Sequence, residues 1–148
     1  MNTQTGFRYG FYTFLGYTAY FLLMKLVGLV HIVELRAFNG AILGSGIWLA
    51  INHLIHHPSA KFDYYHGFRV GVITAFSGVI MFSIFMFFYL RIIDQAFLMQ
   101  IKEQEAFGQY LNPYIIAVTL IIEGSFSGFI MTFAIMQFKK SKAGKFHA

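Results

Sequence analysis

Apolar residues run almost unbroken through four stretches of the chain, each near the roughly 20 residues that a helix needs to cross the hydrocarbon core of a bilayer. The first extends from about Phe11 to Leu35 and contains Lys25. The second runs from about Arg36 to Ile55, and the third, the most uniformly apolar, from Gly71 to Ile93. The fourth runs from Tyr114 to Phe138 and contains Glu123, with Pro113 just ahead of it. Proline suits the first turn of a helix, where its missing N–H has no helical acceptor to lose. The pattern predicts an all-α protein, an integral membrane bundle of four transmembrane helices, with residues 1–148 as a single domain.

The polar stretches between these segments set the connections. A very short turn around Glu34 to Asn39 predicts a tight antiparallel hairpin of the first two helices. The second connection, His56 to Val70, holds Pro58, which ends a helix, and Tyr64, Tyr65 and Phe68, which suit a membrane–water interface. The third, Gln95 to Asn112, is the most polar. Its Phe97, Leu98 and Ile101 share a helical face that either lies on the membrane surface or extends the third helix.

Composition agrees with lipid as the solvent. Only 11% of residues are charged, against about 25% in soluble domains. The net charge of +5 comes from basic residues in the C-terminal tail and the loops. Anionic lipid headgroups account for it, and nucleic acid is not an expected partner. The absence of cysteine excludes disulfides, thiolate metal sites and cysteine nucleophiles. Met1 to Gly10 lacks the basic start and small-residue cleavage site of a secretory signal, so the first apolar segment is expected to stay as an anchor.

Orientation follows from the distribution of Lys and Arg. One side holds Arg8, Lys61, Arg69, Lys139, Lys140, Lys142 and Lys145, and the other Arg36, Arg91 and Lys102. Both termini are therefore expected in the cytoplasm.

Three features carry candidate chemistry. Glycines recur four apart at Gly40 and Gly44, Gly67 and Gly71, and Gly124 and Gly128. One-turn spacing of residues without side chains lets helix backbones approach closely. Lys25 and Glu123 are the charges inside the spans. Lys25 lies ten residues before Leu35 and Glu123 ten after Pro113, roughly 15 Å in each case. Matched depth predicts an intramembrane ion pair. The open alternatives are that each finds its own polar surroundings, or that they form a proton relay. The third feature is His53-Leu-Ile-His56-His57. Imidazoles three or four residues apart share a helix face and suit zinc, iron or copper, with His66 the plausible fourth member. The stretch resembles one histidine box of membrane di-iron desaturases and hydroxylases. The competing reading is a solvated histidine cluster at a helix end, and no cofactor is expected.

His66-Gly67-Phe68-Arg69-Val70-Gly71, Tyr89-Leu90-Arg91-Ile92-Ile93-Asp94, Glu123-Gly124 and Lys139-Lys140 together resemble domain-of-unknown-function family 4199. That resemblance implies a small bacterial four-helix protein of the inner membrane and implies no activity. With no complete catalytic set, the expected role is non-enzymatic, with the lipid bilayer and other membrane subunits, or further copies, as partners. Two alternatives remain open: a metal-dependent membrane enzyme using the histidines, and a small transporter or proton-conducting protein using Lys25 and Glu123.

Overall fold

The computed structural model describes residues 2–29, 37–56 and 63–143, and among these it contains helices and no strand. Five α-helices follow one another: α1 (Asn2–Val27), α2 (Ala37–Ile55), α3 (Tyr64–Phe88), α4 (Gln95–Gln104) and α5 (Pro113–Ala143). A π-helical turn, Tyr89–Ile93, continues α3, and a 3-10 turn, Gly108–Tyr110, precedes α5. Three segments are long and apolar enough to cross a membrane: Ala37–Ile55, Tyr64–Ile93 and Pro113–Lys140. Of the four spans expected, the first is the one that lacks this property within its described residues, which belong to α1. Its tyrosines 9, 12, 17 and 20, with Arg8, Thr13, Thr18 and Lys25, dilute its apolar content.

α2 and α3 form the middle of the bundle. Both pack against α1 and α5, which lie on opposite sides of them. Leu43, Ile47, Ala50 and Ile51 of α2, Val70, Thr74 and Ala75 of α3, and Thr132 and Met136 of α5 are fully shielded. Dispersion gathered by such close packing is what holds helices together where lipid offers no hydrophobic gain. Four of the buried hydroxyls are satisfied within their own helices, whereas those of Thr18, Ser83 and Ser125 have no partner among the described residues. Thr13 donates to the Tyr9 carbonyl at 2.8 Å, Thr132 to Gly128 at 2.7 Å and Ser77 to Ile73 at 2.7 Å. Thr74 donates to Val70 at 2.9 Å and also reaches the Gly6 carbonyl of α1 at 3.3 Å.

Glycines govern how near the helices come. A Cβ at Gly10 would meet Ser77, at Gly46 Thr13, and at Gly78 the Gly10 carbonyl, 3.1 Å away. α1, α2 and α3 therefore meet through Gly6, Gly10, Gly46 and Gly78, of which Gly46 and Gly78 have no glycine four residues away. Of the six glycines singled out from the sequence, Gly124 faces Val79 and Gly128 faces Ala75. A Cβ at either would lie 2.7 and 2.4 Å from those side chains. Gly71 faces Thr132 at 2.5 Å, and Gly67 is buried at the start of α3. Gly40 and Gly44 face only the flexible end of Met131, at 3.3 and 3.6 Å, so that pair is the loosest.

The limits of the first helix differ from expectation. α1 begins at Asn2 and ends at Val27, where Gly28 adopts φ +76°. The Gly28 N–H bonds the Lys25 carbonyl at 3.1 Å and the Leu29 N–H bonds the Met24 carbonyl at 2.9 Å. This pair of bonds is the Schellman stop, for which glycine is suited because it has no Cβ to clash at positive φ. Lys25 consequently sits in the last turn of the helix instead of deep inside it. The expected turn around Glu34 to Asn39 falls largely outside the described residues, as does Pro58. The third helix starts earlier than expected, at Tyr64. The Gln95–Asn112 connection contains a helix of its own, α4, separated from α3 by Asp94.

Candidate functional site

Lys25, at the end of α1, meets the junction of α3 and α4. Its ammonium forms an ion pair with Asp94 Oδ2 and donates to the Tyr89 hydroxyl. It also lies 4.7 Å from the centre of the Tyr89 ring and 5.2 Å from that of Phe97. The expected pairing of Lys25 with Glu123 is thus corrected: the carboxylate partner is Asp94. The reason is topological as well as local. α1 and α5 stand on opposite sides of the α2–α3 pair, and Gly28 places Lys25 at a helix end while Glu123 stays within a span.

The π turn prepares this arrangement. The Asp94 N–H bonds the Tyr89 carbonyl at 3.0 Å, five residues back. The extra residue widens the helix, a feature frequent at functional positions. Beyond it Asp94 leaves helical conformation, with φ −142° and ψ 79°, and caps α4: its Oδ1 accepts the Phe97 N–H at 2.8 Å. One carboxylate therefore starts α4 and holds Lys25 with its other oxygen. Aromatic packing backs the cluster. The Phe21 ring lies 5.1 Å from Tyr89 and 5.8 Å from Phe97, and Phe85 lies 5.7 Å from Tyr89. The aromatic run Phe85 to Tyr89 is split between two roles, with Met86 and Tyr89 buried and Phe88 exposed. An open cavity of about 650 Å³ adjoins the ion pair, lined by Lys25, Gly28, Asp94, Phe97, Gln100 and Glu103 among others.

Asp94 and Tyr89 are functional candidates that the sequence pattern did not single out. Local signals exist for both sides of the junction. An aspartate opening an amphipathic segment is an N-cap signal, and Gly28 after a long apolar helix is a stop signal.

The opposite end of the bundle holds a second polar cluster. Lys139 donates to Asn52 Oδ1 and lies 3.9 Å from the Trp48 ring centre. His53 faces the Tyr9 ring at 5.7 Å, and His56 Nδ1 is 2.9 Å from the Asn52 carbonyl. His66 lies 3.7 Å from Asp63, and both are well exposed. His57 falls outside the described residues. Among those described, no three His, Asp or Glu side chains converge as metal ligands. His53, His56 and His66 are each turned to a different neighbour, so the structure does not bring them together.

Glu123 stands alone. It is exposed on α5, between the exposed Ile122 and Phe126, and forms no hydrogen bond or ion pair within the described residues. Thr119 and Ser127, one turn to either side, share its face. Gly124 and Gly128 turn instead towards α3. α5 thus has an inner face of small residues and an outer face where Thr119, Glu123 and Ser127 interrupt an otherwise apolar surface.

Comparison with protein-family models, curated proteins and solved structures finds no match for the chain. Its function must be read from its own geometry.

Proposed function

We propose that this chain is a non-enzymatic subunit of a larger membrane assembly, built as four spans with both termini cytoplasmic, and that it joins the assembly through the outer face of α5. In this reading α1 crosses the membrane as well, with Thr13 and Tyr17 buried inside the bundle. The architecture is also the one implied by the resemblance to family 4199, but the reading rests on a single observation: Glu123 has no partner among the described residues. It lies ten residues from Pro113 and sixteen from Lys139, about 15 and 24 Å from the two ends. A glutamate side chain is too short to reach a headgroup from that depth. A carboxylate there costs a few kcal/mol or more unless paired or hydrogen-bonded. A polar residue on a neighbouring helix, meeting the Thr119–Glu123–Ser127 stripe, removes that cost.

The absence of cysteine makes the test clean. With a photo-crosslinker carried on a single cysteine at Ile122, we expect a discrete product with another protein chain in native membranes. Glu123→Leu should abolish it while the subunit remains folded in detergent. A chain that crosslinks to lipid alone, with or without Glu123, would overturn the proposal. In the same membranes, an impermeant thiol reagent added from outside should label a cysteine at Gln104 and not one at Lys140. The reverse would overturn the orientation.

A further inference from the structure

We infer that the cavity between the end of α1 and helix α4 is a binding site for a phosphoethanolamine group, supplied by a membrane lipid. The inference is independent of the role assigned to Glu123.

Position comes first. The apolar segment Tyr64–Ile93 ends one residue before Asp94, and the next begins at Pro113. α4 therefore lies at the level where the spans leave the hydrocarbon. Phe97, Leu98 and Ile101 of α4 pack on the core of the bundle, while Gln100 and Glu103 are exposed. This is the disposition of an interfacial helix. A cavity of about 650 Å³ opening there, with Ala96, Phe97 and Met99 in its wall, is within reach of a lipid whose chains remain in the bilayer.

The unused hydrogen-bonding capacity then selects the group. An ammonium has three donors. Lys25 directs one to Asp94 and one to Tyr89, which leaves one for a phosphate oxygen. Asp94 is committed through both oxygens, to Lys25 and to the Phe97 N–H. Glu103 lines the same cavity and has no partner among the described residues. It accepts from an ammonium, and Gln100 beside it serves either end of the ligand. Among the described residues the charged lining is Lys25, Asp94 and Glu103, one positive and two negative. With Asp94 neutralising Lys25, the remaining carboxylate favours a ligand that carries its own cation. A phosphate alone does not meet that requirement. A quaternary ammonium meets the charge but has no N–H for Glu103. A primary ammonium linked to a phosphate meets both.

The full-length chain in mild detergent, stripped of lipid, should be titrated with phosphatidylethanolamine, phosphatidylcholine or phosphatidylglycerol, and the bound fraction read by native mass spectrometry. Phosphatidylethanolamine should bind most tightly. Glu103→Gln should reduce its preference over phosphatidylglycerol by about fivefold, the scale of one exposed charge pair. Gln104→Glu, a change on the same helix outside the cavity, should leave the preference unchanged. Glu103 is exposed, so its variant is expected to fold. Equal binding of the three lipids, or a preference that survives Glu103→Gln, would overturn the inference. Soluble phosphoethanolamine should compete only at far higher concentration. Competition at equal concentration would assign the site to the free molecule and overturn the lipid source.

Discussion

α3 and α5 look alike as strings of apolar residues, and both are long enough to span a membrane. Yet 56% of the most apolar window of α3 is buried and only 11% of that of α5. Hydropathy does not separate them, because lipid tails and protein interior are equally apolar. The distribution of small residues does. α3 carries Gly67, Gly71, Thr74, Ala75, Ser77 and Gly78, which turn small side chains towards α1, α2 and α5 alike. α5 turns one stripe of small residues, Gly124, Gly128 and Thr132, towards α3, and its outer face is largely apolar, interrupted by Thr119, Glu123 and Ser127. In a membrane, close approach needs missing side chains, so the helix with small residues on several sides becomes the centre.

The strongest way to break this comparison is to add bulk to the inner stripe of α5. A Cβ at Gly128 would already lie 2.4 Å from the Ala75 Cβ, and that methyl cannot rotate away. Gly128→Leu should therefore cost about 2–3 kcal/mol, the upper range for overpacking, read as a large fall in the thermal midpoint in detergent. An unchanged midpoint would mean that α5 is free to slide away from α3.

A smaller effect is expected at the polar junction, where both partners are partly exposed, at 29% for Lys25 and 21% for Asp94. Lys25→Met and Asp94→Asn should each lose about 1–2 kcal/mol, a buried-pair loss discounted for solvent. The double variant should recover part of the sum, since neither charge is then stranded. Strict additivity would show that the two act independently.

The least effect is expected on the outer face of α5. Phe126→Leu should change stability by no more than about 0.5 kcal/mol, because Phe126 is 69% exposed. Phe129 is a poorer reference position: its ring meets Phe68 edge-on at 5.4 Å. A loss at Phe126 as large as that at Gly128, in protein purified without other chains, would erase the distinction between the two faces.

Periodicity, length and composition by themselves determined the helical class, three of the four segments expected to be long and apolar enough to span a membrane, and the start of α5. Asn112 and Pro113 make that start explicit, with Asn112 Oδ1 accepting the Ile115 N–H at 2.9 Å. These are local properties, set by which residues a helix and a lipid tolerate. The positions of the charges were less legible. Lys25 and Glu123 stand out as charges within apolar runs, but the ends of those runs do not fix their depths. Gly28 ends α1 earlier, through backbone bonds that hydropathy does not register. Which charge meets which was decided by tertiary structure alone. α1 and α5 are kept apart by the α2–α3 pair, and a π turn of one extra residue brings Tyr89 and Asp94 to Lys25. Such pairings depend on crossing geometry between distant segments, so no single stretch of chain encodes them.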